Sequence, residues 1–523
     1  MDQPAFQSLL RSDAFPHPVS ALQVRETHIS RVLLTGDFVY KIKKPVNFGF
    51  LDFSTLERRR HFCQEEVRLN RRTCPNIYLD VVAVVARDGQ LFLYGDGDIV
   101  EYAVKMRQFD ADATLADWFA SGKNVTPESL QALGYRLAEF HAGAAIASAD
   151  TAWGTADAVL APVLENFRQI EPLVKDEHQR AQLGEIKRWS LEQAQVLREL
   201  FTARRQQGFV RELHGDLHAG NIAWIDQQWL PFDCIEFNPD LRWIDTASDL
   251  AFLLMDLEFR GLRAQANRIL NAYLEFSADY GLLAVLDFYR IYRAMVRAKV
   301  SILRRQQAGL GPEQAAVLEQ AFAGYLDYCI VTRPPRPLFL AITTGISGSG
   351  KSTVARLVAQ QSGAIQLRSD VTRKRLCGLK PLQPSSQVPG GIYTEAISRR
   401  TFDQLVQDAG AVLAAGFPVI VDATFLKRAH RQPFLALAQQ RGVQAAILVC
   451  AADHAELVRR ITARQSHGAD PSEADVAVME QQRLQQEALT ESETVLAVDA
   501  AQIRQGEDFL TLVQRNPDVE HRT

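Results

Sequence analysis

The chain has 523 residues, with 58 Lys and Arg against 62 Asp and Glu and a formal net charge of −4. That near balance argues against a surface built wholesale for nucleic acid or membrane, while leaving room for a local basic patch. The hydrophobic fraction of 47% and the charged fraction of 23% are ordinary globular values, and at about 100–200 residues per domain two to four compact units are expected.

The six cysteines, Cys63, Cys74, Cys234, Cys329, Cys377 and Cys450, are scattered without a CxxC pair, so neither a zinc ribbon nor a disulfide framework is expected. The opening MDQPAFQSLLRSDAFPHP lacks the basic start and apolar stretch of a signal peptide. No uncharged apolar run approaches the length of a bilayer span. The expected location is the cytoplasm, with no membrane partner.

In chain order, RVLLTGDFVYKIK at 31–43 predicts two strands around a Gly36-Asp37 turn. STLERRRHFCQEEVRLNRR predicts a helix, with Ser54 and Glu57 as a capping box and Phe62, Cys63, Glu66 and Val67 on one face. YLDVVAVVARDGQLFLY at 78–94 predicts a hairpin turning at Asp88-Gly89, and IVEYAVKMRQF a further strand. Residues 1–108 therefore read as a small β-rich lobe with one helix. Residues 109–331 read as mostly helical, including TPESLQALGYRLAEFHAG and a long run around 258–330, interrupted by HGDLHAGN at 214–221 and its sequel. Three prolines in TRPPRP, at 332–337, stop an arriving helix and mark the main linker. In 338–523 the apolar runs PLFLAITTG, AIQLRS, PVIVDAT and AAILVCA alternate with helical patterns, which predicts a parallel sheet flanked by helices.

HGDLHAGN admits two chemistries. A metal site needs His214, Asp216 and His218 on one side of an extended strand, which Gly215 and the Ala219-Gly220 pair disfavour. A phosphotransfer loop needs an acceptor-facing aspartate, an asparagine beyond it and a second metal-binding aspartate. Asp216 and Asn221 fit that order, and a hairpin in NIAWIDQQWLPFD, turning at Asp226-Gln-Gln, brings Asp233 back to where Asn221 starts. Asn221 and Asp233 are then expected on Mg²⁺, with Asp216 accepting or orienting the proton of an acceptor hydroxyl. His214 is expected to support the loop backbone, and His218 stays open.

Such a site also needs a strand lysine for ATP. In FVYKIKKPV, Lys41 and Lys43 share one side of a strand and Lys44 the other. Lys41 is favoured because it is centred in the apolar strand, with Glu66 rather than Glu65 as its ion-pair partner. The bland alternative for each is an ordinary surface charge.

The order of lysine strand, helix, hairpin, HGDxxxxN and aspartate resembles the aminoglycoside phosphotransferase and choline-kinase-like branch of the protein-kinase fold, over about 25–330. The resemblance implies a bilobal α+β kinase domain over 1–331, with Asp249 of DTASDLAF bracing the catalytic loop. Two departures stand out: the small lobe has no GxGxxG, and the second metal motif reads FDCIEF rather than an IDW-type sequence. The helix FYRIYRAMVRAKVSILRR offers Arg290, Arg293, Arg297 and Lys299 either to an anionic acceptor or to solvent.

Beyond the linker, GISGSGKS at 345–352 matches GxxxxGK[ST] between a strand and a helix. Gly345, Gly348, Ser349, Gly350 and Thr353 belong to the expected ATP-binding loop, because glycines let backbone amides converge on phosphate at a helix N-terminus. Lys351 is expected on the terminal phosphate and Ser352 on Mg²⁺. Asp370 is expected at the end of the second strand as the carboxylate that accepts an acceptor proton. Asp422 is expected at the end of PVIVDAT, holding the hydrated metal; helix capping is the alternative for both. Arg460 and Arg464, four apart, suit either a phosphate-clamping lid or a solvated face. The segment 335–500 resembles P-loop kinases of small molecules and polynucleotide ends, of the gluconate-kinase-like and zeta-toxin-like group. That resemblance implies an α/β P-loop domain in which Asp370 contacts the acceptor.

The leading expectation is a fusion of two ATP- and Mg²⁺-dependent kinases, each acting on a hydroxyl of a small molecule. Two alternatives stand beside it: one domain as a nucleotide-binding regulator of the other, or action of the P-loop domain on nucleic-acid ends, aided by the arginines at 58–60 and 68–72.

Overall fold

The computed structural model describes residues 6–514 apart from 50, 308, 387, 389, 468–470, 495–496 and 506–507. The chain divides into two compact units, Met1–Ser129 with Phe140–Asp256 and Tyr292–Leu310, and Leu130–Glu139 with Leu257–Ile291 and Gly311–Thr523.

The first unit opens on a six-stranded antiparallel sheet of β1 (Gln23–Glu26), β2 (Ser30–Leu34), β3 (Phe38–Lys43), β4 (Tyr78–Arg87), β5 (Gln90–Phe92) and β6 (Asp98–Arg107). Its order is β1-β2-β3-β6-β4-β5. Asp88 and Gly89 both take positive φ, the two-residue turn whose twist matches the flanking strands. Helix α1 (Leu56–Asn70) starts one residue later than a Ser54 cap requires. Thr55 is the N-cap, and its hydroxyl accepts from the Arg58 amide, so the Ser54–Glu57 box is replaced by a cap next to the first helical residue. Cys63 and Val67 of α1, Val104 of β6 and Tyr78 of β4 share a core with Ala223, Ile225 and Leu230. Those last three come from the hairpin of β8 (Ile222–Ile225) and β9 (Gln228–Pro231), while β7 (Val210–Glu212) pairs with β10 (Trp243–Asp245). Asp226 and Gln227 alone make the hairpin turn, both at positive φ, and Gln228 already pairs with Ile225. One apolar core thus fastens the lysine strand's sheet, the glutamate helix and the hairpin that carries Asp233. Helix α2 (Thr246–Phe259) follows β10.

The second unit holds helix α3 (Arg263–Ser277) and a five-stranded parallel sheet of β11 (Phe339–Thr344), β12 (Ile365–Arg368), β13 (Val419–Asp422), β14 (Gln444–Val449) and β15 (Ala497–Asp499). The order is β12-β13-β11-β14-β15. All six residues of β11 are buried, as a central parallel strand covered on both faces must be. Val354, Ala355 and Val358 of helix α4 (Lys351–Ser362) pack on Ala341, Ile420, Ala446 and Leu448. Asp370 lies beyond the end of β12, in the first turn of helix α5 (Ser369–Leu376), where an aspartate complements the helix dipole. The Arg460 segment is helix α6 (His454–His467). Among the described residues, no helix is long and apolar enough to cross a membrane.

Candidate active sites

In the first unit, alternation along β3 puts Lys41 and Lys43 on the same side. Glu66 of α1 takes one lysine on each oxygen: Lys41 Nζ lies 2.8 Å from Oε1 and Lys43 Nζ 2.6 Å from Oε2. Lys41 Nζ also donates to Asp233 Oδ1 at 2.7 Å. Burial disfavours charge on Lys41, but the Asp233 and Glu66 carboxylates outweigh it and hold its pKa well above the ordinary lysine value. Burial likewise pushes the Glu66 carboxyl up, and the two lysines reverse that and bring it well below the usual range.

Lys43 pairs in addition with Glu236. Both are almost fully buried, and burial holds the Glu236 carboxyl above its usual value despite Lys43. This second pair was not singled out from the sequence. Its only signal was a glutamate in the apolar run FDCIEF, three residues past Asp233, where the motif departs from the family pattern. Glu65 instead faces Arg68 at 2.8 Å.

The HGDLHAGN loop is held from several sides. Asp249 of α2 accepts from the amides of His214 at 3.2 Å and Gly215 at 2.9 Å, and meets His141 Nε2 at 3.2 Å. Asp256 Oδ2 accepts from the Ala219 amide at 3.0 Å. His214 Nδ1 accepts from the Asp216 amide, which leaves the proton on Nε2, 2.8 Å from the Phe232 carbonyl. Burial keeps His214 below its usual pKa, so it acts as a neutral strut between the loop and the residue before Asp233. His218 Nδ1 accepts from the Gly220 amide at 3.1 Å, so its Nε2 carries the proton and faces Asp216 Oδ2 at 3.6 Å. Burial raises the Asp216 carboxyl pKa, but His218 and Arg297 outweigh it and hold it well below the usual carboxylate range.

Asn221 Nδ2 donates to the Asp216 carbonyl at 3.0 Å and to Asp216 Oδ2 at 3.2 Å. Its amide nitrogen is thereby committed inward, and its carbonyl oxygen is the side-chain atom left to coordinate. Asp233, whose side chain is 44% exposed, is held at φ 65°, with its amide on the Tyr78 hydroxyl at 3.1 Å. Hard oxygen donors of this kind suit Mg²⁺, which takes one or two carboxylates and completes its shell with phosphate and water.

In the second unit, Gly345, Gly348 and Gly350 all take positive φ. A β-carbon at Gly345 would run into the Cys450 carbonyl oxygen, so the loop can pass there only without a side chain. Lys351 Nζ donates to the Ile346 carbonyl at 2.9 Å, folding over the loop. Ser352 hydrogen-bonds the Asp422 carboxylate, whose pKa burial raises against the opposing charge of Arg368. A hydroxyl beside a buried carboxylate at a helix N-terminus is again an all-oxygen donor set of the kind Mg²⁺ takes. A cavity of about 910 Å³ opens from Gly348, Gly350, Lys351, Ser352 and Thr353 to Asp370, Arg460, Tyr393 and His430. Ser349 is buried within the loop. Arg460 reaches the Gly348 carbonyl at 3.3 Å and Glu456 at 2.6 Å; the Arg464 side chain lies outside the described residues. Arg373, which lines the cavity and is hydrogen-bonded to Ser398 at 3.0 Å, was missed from the sequence, since nothing local separates it from its basic neighbours.

Several of the basic candidates are engaged internally. Arg59 pairs with Glu101, Arg68 with Glu212, and Arg72 donates to the Glu212 and Leu213 carbonyls. Arg293 donates to the Gly215 and Ser248 carbonyls, and Arg290 pairs with Glu258 and Asp287.

The uncharacterized protein Rv2004c of Mycobacterium tuberculosis is 32% identical over 415 residues, covering 78% of this chain and 80% of that protein. The Mycobacterium bovis protein Mb2027c matches with the same figures. The chain belongs to the Rv2004c family. In this member of the Rv2004c family, the phosphotransferase enzyme family matches residues 108–291 and the AAA domain family matches residues 340–489. The first span includes HGDLHAGN and Asp233, and the second the loop from Gly345 to Ser352, Asp370 and Asp422. It is an ATP-dependent phosphotransferase with two kinase-type domains, the first of the aminoglycoside phosphotransferase kind and the second a P-loop kinase domain. Among solved structures, choline kinase from Cryptosporidium parvum is similar at 10% identity, covering 62% of this chain and 95% of that chain with a TM-score of 0.39. The Mycobacterium tuberculosis APS kinase is similar at 21% identity, covering 35% of this chain and 99% of that chain with a TM-score of 0.24.

Proposed function

We propose that the protein carries two separate Mg²⁺-dependent ATP sites, each transferring a phosphoryl group to a hydroxyl of a small-molecule acceptor. The observation that carries this reading is the meeting of Lys41, Glu66 and Asp233, from three distant segments, beside a loop that Asp249 and His214 hold rigid. In the first site Lys41 exchanges Asp233 for nucleotide phosphates, with Glu66 keeping its ammonium in place. Asn221 and Asp233 would hold the metal. Asp216, kept ionised by its surroundings, accepts a hydrogen bond from the acceptor hydroxyl and orients it for attack.

In the second site the backbone amides from Gly345 to Lys351 and the Lys351 ammonium bind the phosphates, with Arg460 at the rim of the same cavity. Ser352 and Asp422 would hold the metal, which when bound neutralises charge on the transferring phosphoryl group. Asp370 would take the acceptor's proton. The internal pairing of Arg59, Arg68 and Arg72 favours a small acceptor over nucleic-acid ends, because those cations are already spent. Six free cysteines fit the reducing cytoplasm.

The test is a metabolite screen with labelled ATP on the parent protein and on Asp216→Asn and Lys351→Ala separately. Two kinases require each substitution to abolish transfer to some acceptor. If Lys351→Ala changes only nucleotide affinity and every acceptor is still phosphorylated, the second domain is a regulator and the two-kinase reading falls.

A further inference from the structure

Among the described residues, strand β12 is the edge of the parallel sheet and pairs with β13 alone. An open edge needs partners for its outward amides and carbonyls. Here two asparagines of α3 supply them. Asn271 Oδ1 accepts from the Gln366 amide at 2.6 Å, and the Asn267 and Asn271 side-chain amides donate to the Ala364 carbonyl at 3.3 and 3.2 Å. Helix α3 is therefore hydrogen-bonded onto the strand next to β13, which ends in Asp422.

Two side chains of β12 continue from that edge to one oxygen of Asp422. Gln366 Nε2 donates to Asp422 Oδ2 at 3.1 Å. Arg368 Nε lies 3.7 Å from the same Oδ2, and its Nη1 lies 3.7 Å from Glu275 Oε1 of α3. Glu275 is fixed in turn by the Tyr135 hydroxyl at 2.6 Å, which accepts from Gln131 Nε2 at 2.9 Å. Glu275, Arg368 and Asp422 are all buried. The guanidinium thus stands between two carboxylates, beyond hydrogen-bond length from both, close enough to favour charge on Asp422 but not to occupy its oxygens. Glu275 is one of the contacts that hold it there, on the side away from Asp422. Without that carboxylate, the pull on Arg368 toward Asp422 is no longer balanced from the α3 side, and a guanidinium seated on Asp422 competes with a metal ion for the same oxygens.

The geometry points to helix α3 as part of the P-loop site: Glu275, acting through Arg368, and Asn271, acting through Gln366, are positioning residues that keep the Asp422 carboxylate open to the metal. Residue 275 lies within the span matched by the phosphotransferase enzyme family, 108–291, and outside the span of the AAA domain, 340–489. The P-loop site is then completed by a helix from the other family's segment. This inference rests on the reading of Ser352 and Asp422 as metal-holding residues.

The experiment uses the full-length protein and the binding of a fluorescent ATP analogue, mant-ATP, titrated with Mg²⁺. The P-loop contribution is the signal lost in Lys351→Ala. Partners that orient metal ligands typically change metal affinity by about 10–100-fold, so Glu275→Gln is expected to raise the half-saturating Mg²⁺ concentration about tenfold. Binding without Mg²⁺ is expected to stay unchanged. The double variant Glu275→Gln with Arg368→Gln is expected to return toward the parent, because the displaced cation is gone; a merely structural glutamate would not be rescued this way. Tyr135→Phe, which removes only the hydroxyl that fixes Glu275, is expected to shift the same quantity in the same direction by less, and it decides the matter if Glu275→Gln fails to fold. A Lys351-dependent signal whose Mg²⁺ requirement is unmoved in Glu275→Gln and Tyr135→Phe overturns the inference alone. Absence of any Lys351-dependent signal in the parent overturns the P-loop reading together with it.

Discussion

Lys41 Nζ sits 2.7 Å from Asp233 Oδ1, so the lysine read as the phosphate contact and the aspartate read as a metal contact neutralise each other before nucleotide arrives. Their separation of 192 positions is bridged because the core shared by α1, the sheet and the β8–β9 hairpin closes on both. On the proposed reading, nucleotide binding at this site is an exchange of partners, in which Lys41 leaves Asp233 for phosphate while Glu66 keeps hold of it.

The two lysines of β3 therefore separate in their effects. Lys41→Ala is expected to lower transfer by the first site by about 10²-fold or more, as for loss of one preorganised charge contact, with modest change in thermal stability. Lys43→Ala leaves the buried Glu236 without its cation and Glu66 with Lys41 alone, and removing one partner of a buried pair costs about 3–5 kcal/mol. Thermal unfolding alongside single-turnover transfer checks this, and equal stability losses in the two variants would contradict the division of roles.

Asp216→Asn keeps the contact to Asn221 but loses the proton acceptor. The expected result is a loss of first-site transfer of about 10²–10⁴-fold, with ATP affinity nearly unchanged. His218→Ala should cost less, since it touches the hydroxyl-facing carboxylate only from 3.6 Å. Calorimetric ATP titration beside a transfer assay separates the two effects; a comparable loss of ATP affinity in Asp216→Asn would assign Asp216 to nucleotide binding instead.

Gly345→Ala places a β-carbon against the Cys450 carbonyl oxygen at a φ of +145°, a conformation alanine rarely adopts. The loop must move, and its amides no longer converge on phosphate. Calorimetry should record two ATP sites in the parent and one in the variant, with transfer by the first site intact. Retention of two sites would show that the loop tolerates the change.

Arg431 and Glu493 form a fully buried two-bond pair at 2.8 and 3.0 Å. The Arg431 hydrogen bonds outweigh burial and hold the Glu493 carboxyl at about 2, below the ordinary carboxylate value of about 4.3. A depressed folded-state pKa contributes stability that is complete above the ordinary value and disappears as pH falls toward about 2. Glu493→Gln should destabilise the second unit by about 3 kcal/mol at pH 7, with the gap narrowing only below about pH 4.5. Denaturant melts from pH 7 to pH 3 test it, and a gap independent of pH would remove the charge pair as its cause.

HGDLHAGN and GISGSGKS could be read without a structure because each is a contiguous loop whose spacing is its geometry. Within one loop lie Asp216 and Asn221, read as facing the acceptor and the metal, and within the other the glycines read as binding phosphate, so local backbone chemistry suffices to align each set. The same holds for the alternation that puts Lys41 and Lys43 on one side of β3 and for the apolar runs that mark a parallel sheet. What a single sequence does not determine is which buried charge meets which. Glu236 taking Lys43, Arg68 spent on Glu212, and Glu275 facing Arg368 beside Asp422 all join residues far apart in the chain. Those pairings are selected when apolar cores bring the segments together and each desolvated charge must find a partner. That selection belongs to the tertiary structure alone.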